Sequence, residues 1–119
     1  MYDVLINRLK SMGCDIDGTL ERMLNDKEFM IQCMCASLDE SEYDLLKKAL
    51  EKNDASGAFD YAHALKGVTS NVGLTPLYNC IVEIVEPLRN GKTDNLDDKL
   101  CELFKKREEI RALFKSFNL

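Results

Sequence analysis

The chain holds a single histidine, His63, within the run Ala62-His63-Ala64-Leu65-Lys66-Gly67. Imidazole titrates near neutral pH, so its free ring nitrogen is a nucleophile able to take up a covalent group. A helix through this region, at about 100° per residue, groups Ala58, Tyr61, Leu65, Val68 and Val72 on one face. His63 points the opposite way, in company with Phe59, Lys66, Gly67 and Ser70. A lone histidine on a surface helix is most often just a solvated polar residue. Three features set this one apart. It faces outward from a rigid element, and Lys66 lies one turn along the same side. Gly67 sits in mid-helix, where glycine costs about 1 kcal/mol relative to alanine.

Acceptance of a phosphoryl group accounts for all three. A phosphoryl group on the ring is strongly anionic, and Lys66 places an ammonium beside it. In-line transfer requires both faces of the phosphorus to be approachable, and a side chain at position 67 would obstruct a partner's carboxylate. Ser70 adds a small polar neighbour.

The run from Phe59 to Leu77, with its Ala-His-x-Leu-Lys-Gly core and the Gly73-Leu74 pair ten residues past the histidine, resembles the histidine-containing phosphotransfer (HPt) family. The resemblance implies that His63 is the phosphoacceptor, with Lys66 and Gly67 in supporting positions. It implies exchange with the aspartates of response-regulator receiver domains, supplied by a hybrid sensor kinase, in a multistep two-component phosphorelay. It also implies a carrier without turnover of its own and without a cofactor, the magnesium ion belonging to the receiver. Family members often place a Glu or Gln on the following helix to hydrogen-bond the other ring nitrogen. That place falls at Val85 here, and Asn79, Glu83 and Glu86 are the polar residues on that helix that stand as substitutes.

Helical spacing runs throughout. Tyr2, Leu5, Ile6, Leu9 and Met12 form a first stripe closed by Gly13, and Asp15 to Asn25 reads as a short helical turn. Phe29, Met30, Cys33 and Met34 mark the next helix. Asp39 to Glu42 offers caps for a stretch through Leu45, Leu46, Ala49 and Leu50, either separate from its predecessor or continuous with it. Asp54 or Ser56 caps the histidine helix, and Gly73 closes it as a left-handed C′ residue. Thr75 then serves as N-cap with Pro76 at the first helical position, Leu77, Cys80, Ile81, Ile84 and Leu88 form a buried stripe, and Pro87 kinks or ends the helix. Asn90 to Asp94 is a turn. Leu96, Leu100, Leu103, Ile110, Phe114 and Phe117 define the last helix, flanked by Phe104 and Leu113. No alternating strand pattern competes. Short loops between amphipathic helices predict an all-α, up-and-down antiparallel four-helix bundle with additional short N-terminal helices, in a single domain spanning 1–119.

Composition narrows the function further. Of 119 residues, 45% are hydrophobic and 31% charged, which suits one globular domain. The net charge of -5 argues against nucleic-acid binding, and the run Lys105-Lys106-Arg107, answered by Glu108-Glu109, reads as a solvated helix face. No segment approaches the roughly 20 apolar residues of a membrane span, and the N-terminus lacks the layout of a signal peptide, so a cytoplasmic location is expected. A monomer is expected as well. Met1 and the short loops suggest a stand-alone carrier, although a fragment of a hybrid kinase would share the pattern. Five cysteines, Cys14, Cys33, Cys35, Cys80 and Cys101, lack metal-ligand spacing and read as small hydrophobes in a reducing compartment, so no metal is expected. No nucleotide-binding loop supports an ATP-using kinase. The rivals are a phosphorylation-independent helical adaptor docking through Phe59 and nearby apolar surface, an unrelated helical adaptor, and a metal or redox protein built on the cysteines.

Overall fold

Three aspartates fix where helices begin. Asp15, Asp26 and Asp54 each accept, through a carboxylate oxygen, the backbone N–H three residues further on: Gly18 at 3.1 Å, Phe29 at 3.0 Å and Gly57 at 3.0 Å. They start α2 (Ile16–Arg22), α3 (Lys27–Ser37) and α5 (Ala55–Asn71). The remaining helices of this computed structural model, which describes residues 2–119, are α1 (Asp3–Ser11), α4 (Glu42–Glu51), α6 (Thr75–Arg89) and α7 (Asp97–Ser116). Helix is the only regular secondary structure among the described residues. Asp54, rather than Ser56, caps the histidine helix. Leu38 to Ser41 separate α3 from α4, so these are two helices and not one.

Helices α4 to α7 form an antiparallel bundle, each packed on the next through short connections. Leu46, Leu65, Ile81, Ile84, Leu103 and Ile110 are wholly buried along its axis. Side chains close the bundle between α7 and α4: Tyr43 meets Phe104 edge to face, with ring centroids 6.4 Å apart at 74°. The Arg107 guanidinium lies 4.3 Å from the Tyr43 ring centroid and donates from Nε to the Leu38 carbonyl at 2.8 Å. Arg111 donates to the same oxygen at 2.8 Å. Arg107 is therefore buried, which corrects the solvated-face reading at that residue, whereas Lys105 is exposed and Lys106 half-buried. Its aromatic and carbonyl partners come from α4 and the α3–α4 link, distant in sequence. The N-terminal helices add Leu5, Leu9, Met30, Ile31 and Met34 to the same core.

Several boundaries and faces differ from the sequence pattern. On α5 the fully buried positions are Ala58, Ala62, Leu65 and Thr69, whereas Tyr61 and Val68 are half-buried. Thr69 can sit inside because its hydroxyl donates to the Leu65 carbonyl at 2.8 Å. Thr75 is not a cap. Leu74, wholly buried, takes that place, and its carbonyl accepts from Leu77 and Tyr78 at 3.0 Å each. Pro87 ends α6 within two residues, at Arg89. Cys14 and Cys80 are buried and their thiols pushed up by burial, that of Cys14 to about 11. Cys33 and Cys35 are half-buried, whereas Cys101 is exposed and lies outside the core.

Candidate functional site

The histidine helix is pinned at both ends. Its N-terminus carries the Asp54 cap, and its C-terminus closes in a Schellman arrangement: Leu74 N–H bonds the Thr69 carbonyl at 3.0 Å and Gly73 N–H bonds the Ser70 carbonyl at 3.3 Å. Gly73 has φ +74°, and a Cβ there would collide with the Asp15 carbonyl and the Thr19 hydroxyl, so glycine is required on two counts. Helix α2 holds the same end from outside. Arg22 donates to the carbonyls of Ser70 at 3.2 Å and Asn71 at 3.3 Å, while Asp15 N–H bonds the Gly73 carbonyl at 3.0 Å.

On this fixed scaffold His63, Lys66, Gly67 and Ser70 line one shallow, solvent-open depression of about 240 Å³, with Tyr78 of α6 as its fifth wall. His63, Gly67 and Ser70 are exposed and Lys66 half-buried. A Cβ built on Gly67 meets nothing within 4 Å, so the residue does not serve helix packing. No carboxylate among the described residues pairs with Lys66, so its ammonium is uncompensated in a depression shared with the ring. Electrostatically the depression offers a cation, a nucleophilic ring and open space, a combination suited to a transferred anion.

Tyr78 was not singled out from sequence. The α5–α6 hairpin turns at Val72 to Leu74, so the first turn of α6 must lie beside the last turns of α5. That pairing was the available signal.

The residues expected to orient the imidazole are not brought to it. Tyr78 at one end of the α6 flank lines the His63 depression, and Arg89 at the other lies over the Phe59 ring at 5.4 Å. At helical spacing Val82 and Val85 fall between them, and Val85 is wholly buried. Asn79, Glu83 and Glu86 lie about 70–130° further round α6 and are exposed. Glu86 pairs with Arg89 at 3.7 Å instead. His63 has no side-chain hydrogen bond among the described residues, and its ring stacks on Phe59, with centroids 5.6 Å apart and planes 13° from parallel. Phe59 also walls a second open depression of about 380 Å³ with Ala55, Ser56, Leu88, Arg89 and Gly91.

A model of the Hpt domain family matches residues 30–114, well over half of the chain. The chain belongs to the Hpt domain family. Hpt domains are phosphoryl-carrier modules of two-component phosphorelays and work with receiver domains. Comparisons with curated proteins and with solved structures gave no significant match. The matched span of this Hpt domain contains the whole depression around His63, whereas Asp15, Thr19 and Arg22, which brace the end of α5, precede it. No helix among the described residues is long and apolar enough to cross a membrane.

Proposed function

We propose that His63 is the phosphoacceptor of this Hpt domain, taking a phosphoryl group from the aspartyl phosphate of one receiver and passing it to the aspartate of another. The observation that carries this reading is the convergence of His63, Lys66 and Gly67 on one open depression. In the forward step a free imidazole nitrogen attacks phosphorus, a P–N bond forms, the P–O bond to the receiver aspartate breaks, and the carboxylate leaves. Lys66 stabilises the charge of the phosphoryl oxygens, and Gly67 leaves room for the incoming carboxylate. Ser70 and Phe59 border the surface against which the receiver docks. The second transfer is the reverse reaction with a different carboxylate.

Residues 1–119 act as one unit, a monomeric carrier without turnover of its own. The receiver brings the magnesium ion and the acidic residues that hold it. A hybrid sensor kinase feeds the relay, and the protein works in the cytoplasm.

A shuttle assay tests the proposal. A phosphorylated receiver is mixed with a second, unphosphorylated receiver in the presence and absence of this protein. Label should reach the second receiver only when the protein is present, and the His63→Gln variant should abolish that passage. Equal passage with the His63→Gln variant would exclude His63 as the carrier, and no passage with a parent protein that binds both receivers would assign the chain to phosphorylation-independent binding instead.

A further inference from the structure

We infer that Phe59 is the positioning residue for the His63 imidazole, replacing the hydrogen-bond partner that α6 does not supply. The inference rests on His63 being the phosphoacceptor. An exposed imidazole on a helix rotates about two side-chain torsions, and in-line transfer needs the attacking nitrogen held near one direction. On the α6 flank facing the histidine side, Val82 and Val85 present no acceptor, and Glu86 is turned to Arg89. Phe59 stands one turn before His63 on α5, where side chains four residues apart meet. The two rings are near parallel, 13° between planes with centroids 5.6 Å apart, within the range of an offset aromatic stack.

Phe59 is itself held. It is half-buried between α5 and α6 and packs against the hydrophobic core. The Arg89 guanidinium lies 5.4 Å from its ring centroid, and Arg89 is in turn paired with Glu86 at 3.7 Å. A line of contacts therefore runs Glu86–Arg89–Phe59–His63, ending at the reacting ring. Stacking restricts the ring plane while leaving both nitrogens free of protein partners, so one can attack while the other stays solvated.

Because the chain has one histidine, the ring protons of His63 are a unique NMR reporter. In the parent protein the Phe59 ring current should displace them from their positions in an unstructured peptide. Phe59→Leu, similar in bulk but without a ring current, should return them towards those positions, and Phe59→Tyr should restore the displacement. Transfer from a phosphorylated receiver is then measured across receiver concentrations. Loss of an aromatic pair should lower the saturated transfer rate of Phe59→Leu about two- to tenfold, with Phe59→Tyr restored. Arg89→Gln, at an exposed position, should lower the same rate to a smaller extent. Undisplaced ring protons in the parent, or an unchanged saturated rate in Phe59→Leu, would overturn the inference. So would a change confined to the half-saturating receiver concentration, which would make Phe59 a docking residue only. If the parent shows displaced ring protons yet takes no label on His63, the phosphoacceptor reading fails and takes the positioning role with it, while the stack itself stands.

Discussion

Adding a side chain at Gly67 should move stability and transfer in opposite directions. The position lies in mid-helix, and an added Cβ would meet no atom within 4 Å. With no overpacking to offset it, Gly67→Ala should stabilise by about 0.4–1 kcal/mol, through helix propensity and the lower entropy of the unfolded chain. Unfolding entropy for a chain of this length converts that to a rise in melting temperature of about 2–4 °C. Gly67→Gln shares the favourable helix propensity, so it should melt at or above the parent temperature. Its side chain would extend into the depression shared with His63, Lys66 and Ser70. A receiver held even about 1 Å from its productive distance can lose about 100-fold in rate, so transfer in Gly67→Gln should fall by up to that order. Thermal melts followed by circular dichroism and label transfer are measured on the same samples. A lower melting temperature in Gly67→Ala would refute the open-space geometry. A stable Gly67→Gln variant with the parental transfer rate would refute the clearance role.

Lys66→Ala should slow transfer or shorten the phosphohistidine lifetime by about two- to fivefold, the size expected of a solvent-screened charge, while receiver binding stays intact. Identical rates and lifetimes would make Lys66 a bystander. Arg107→Ala should destabilise by about 2–3 kcal/mol, because it removes a charged hydrogen bond to the Leu38 carbonyl and the cation over Tyr43, and a chemical-denaturation midpoint equal to the parent's would contradict the bridging role. Burial pushes the Tyr43 phenol up to about 12 from an ordinary 10.0, so folding favours its protonated form. That contribution is whole below pH 10 and is lost as pH rises through about 12, amounting to at most about 3 kcal/mol. Tyr43→Phe should therefore keep its stability further into alkali than the parent, and superimposable alkaline unfolding curves would contradict this.

Features set by one residue's own chemistry were legible in the sequence. Gly73 at positive φ and the outward His63 each follow from local backbone or helical geometry, whereas the cap stood open between Asp54 and Ser56. So did the four packed helices, because the loops leave little choice of partner. Features set by a distant neighbour were not. Ala62 and Thr69 are buried while Tyr61 and Val68 are half-buried because the buried face of α5 is set by where α4 and α6 pack on it, and the Thr69 hydroxyl has the Leu65 carbonyl within reach. Arg107 looked solvated because Tyr43 and the Leu38 carbonyl lie far away in sequence. Around the site, residues of α5 were readable together on one helix face, but what α6 contributes depends on the hairpin's register. Hence Tyr78 was missed, and Asn79, Glu83 and Glu86, the substitutes for an orienting residue, make no hydrogen bond to the ring.

The phosphocarrier role rests on one covalent bond, between phosphorus and a ring nitrogen of His63. The protein is incubated with a receiver phosphorylated on its aspartate, and the phosphoryl group is then mapped by mass spectrometry under neutral conditions that preserve acid-labile adducts. A single phosphoryl group on His63, lost on acid treatment and absent from a folded His63→Gln variant, is the predicted result. A phosphoryl group on any other residue, or none on a folded protein that binds the receiver, would contradict the role of His63 as phosphoacceptor.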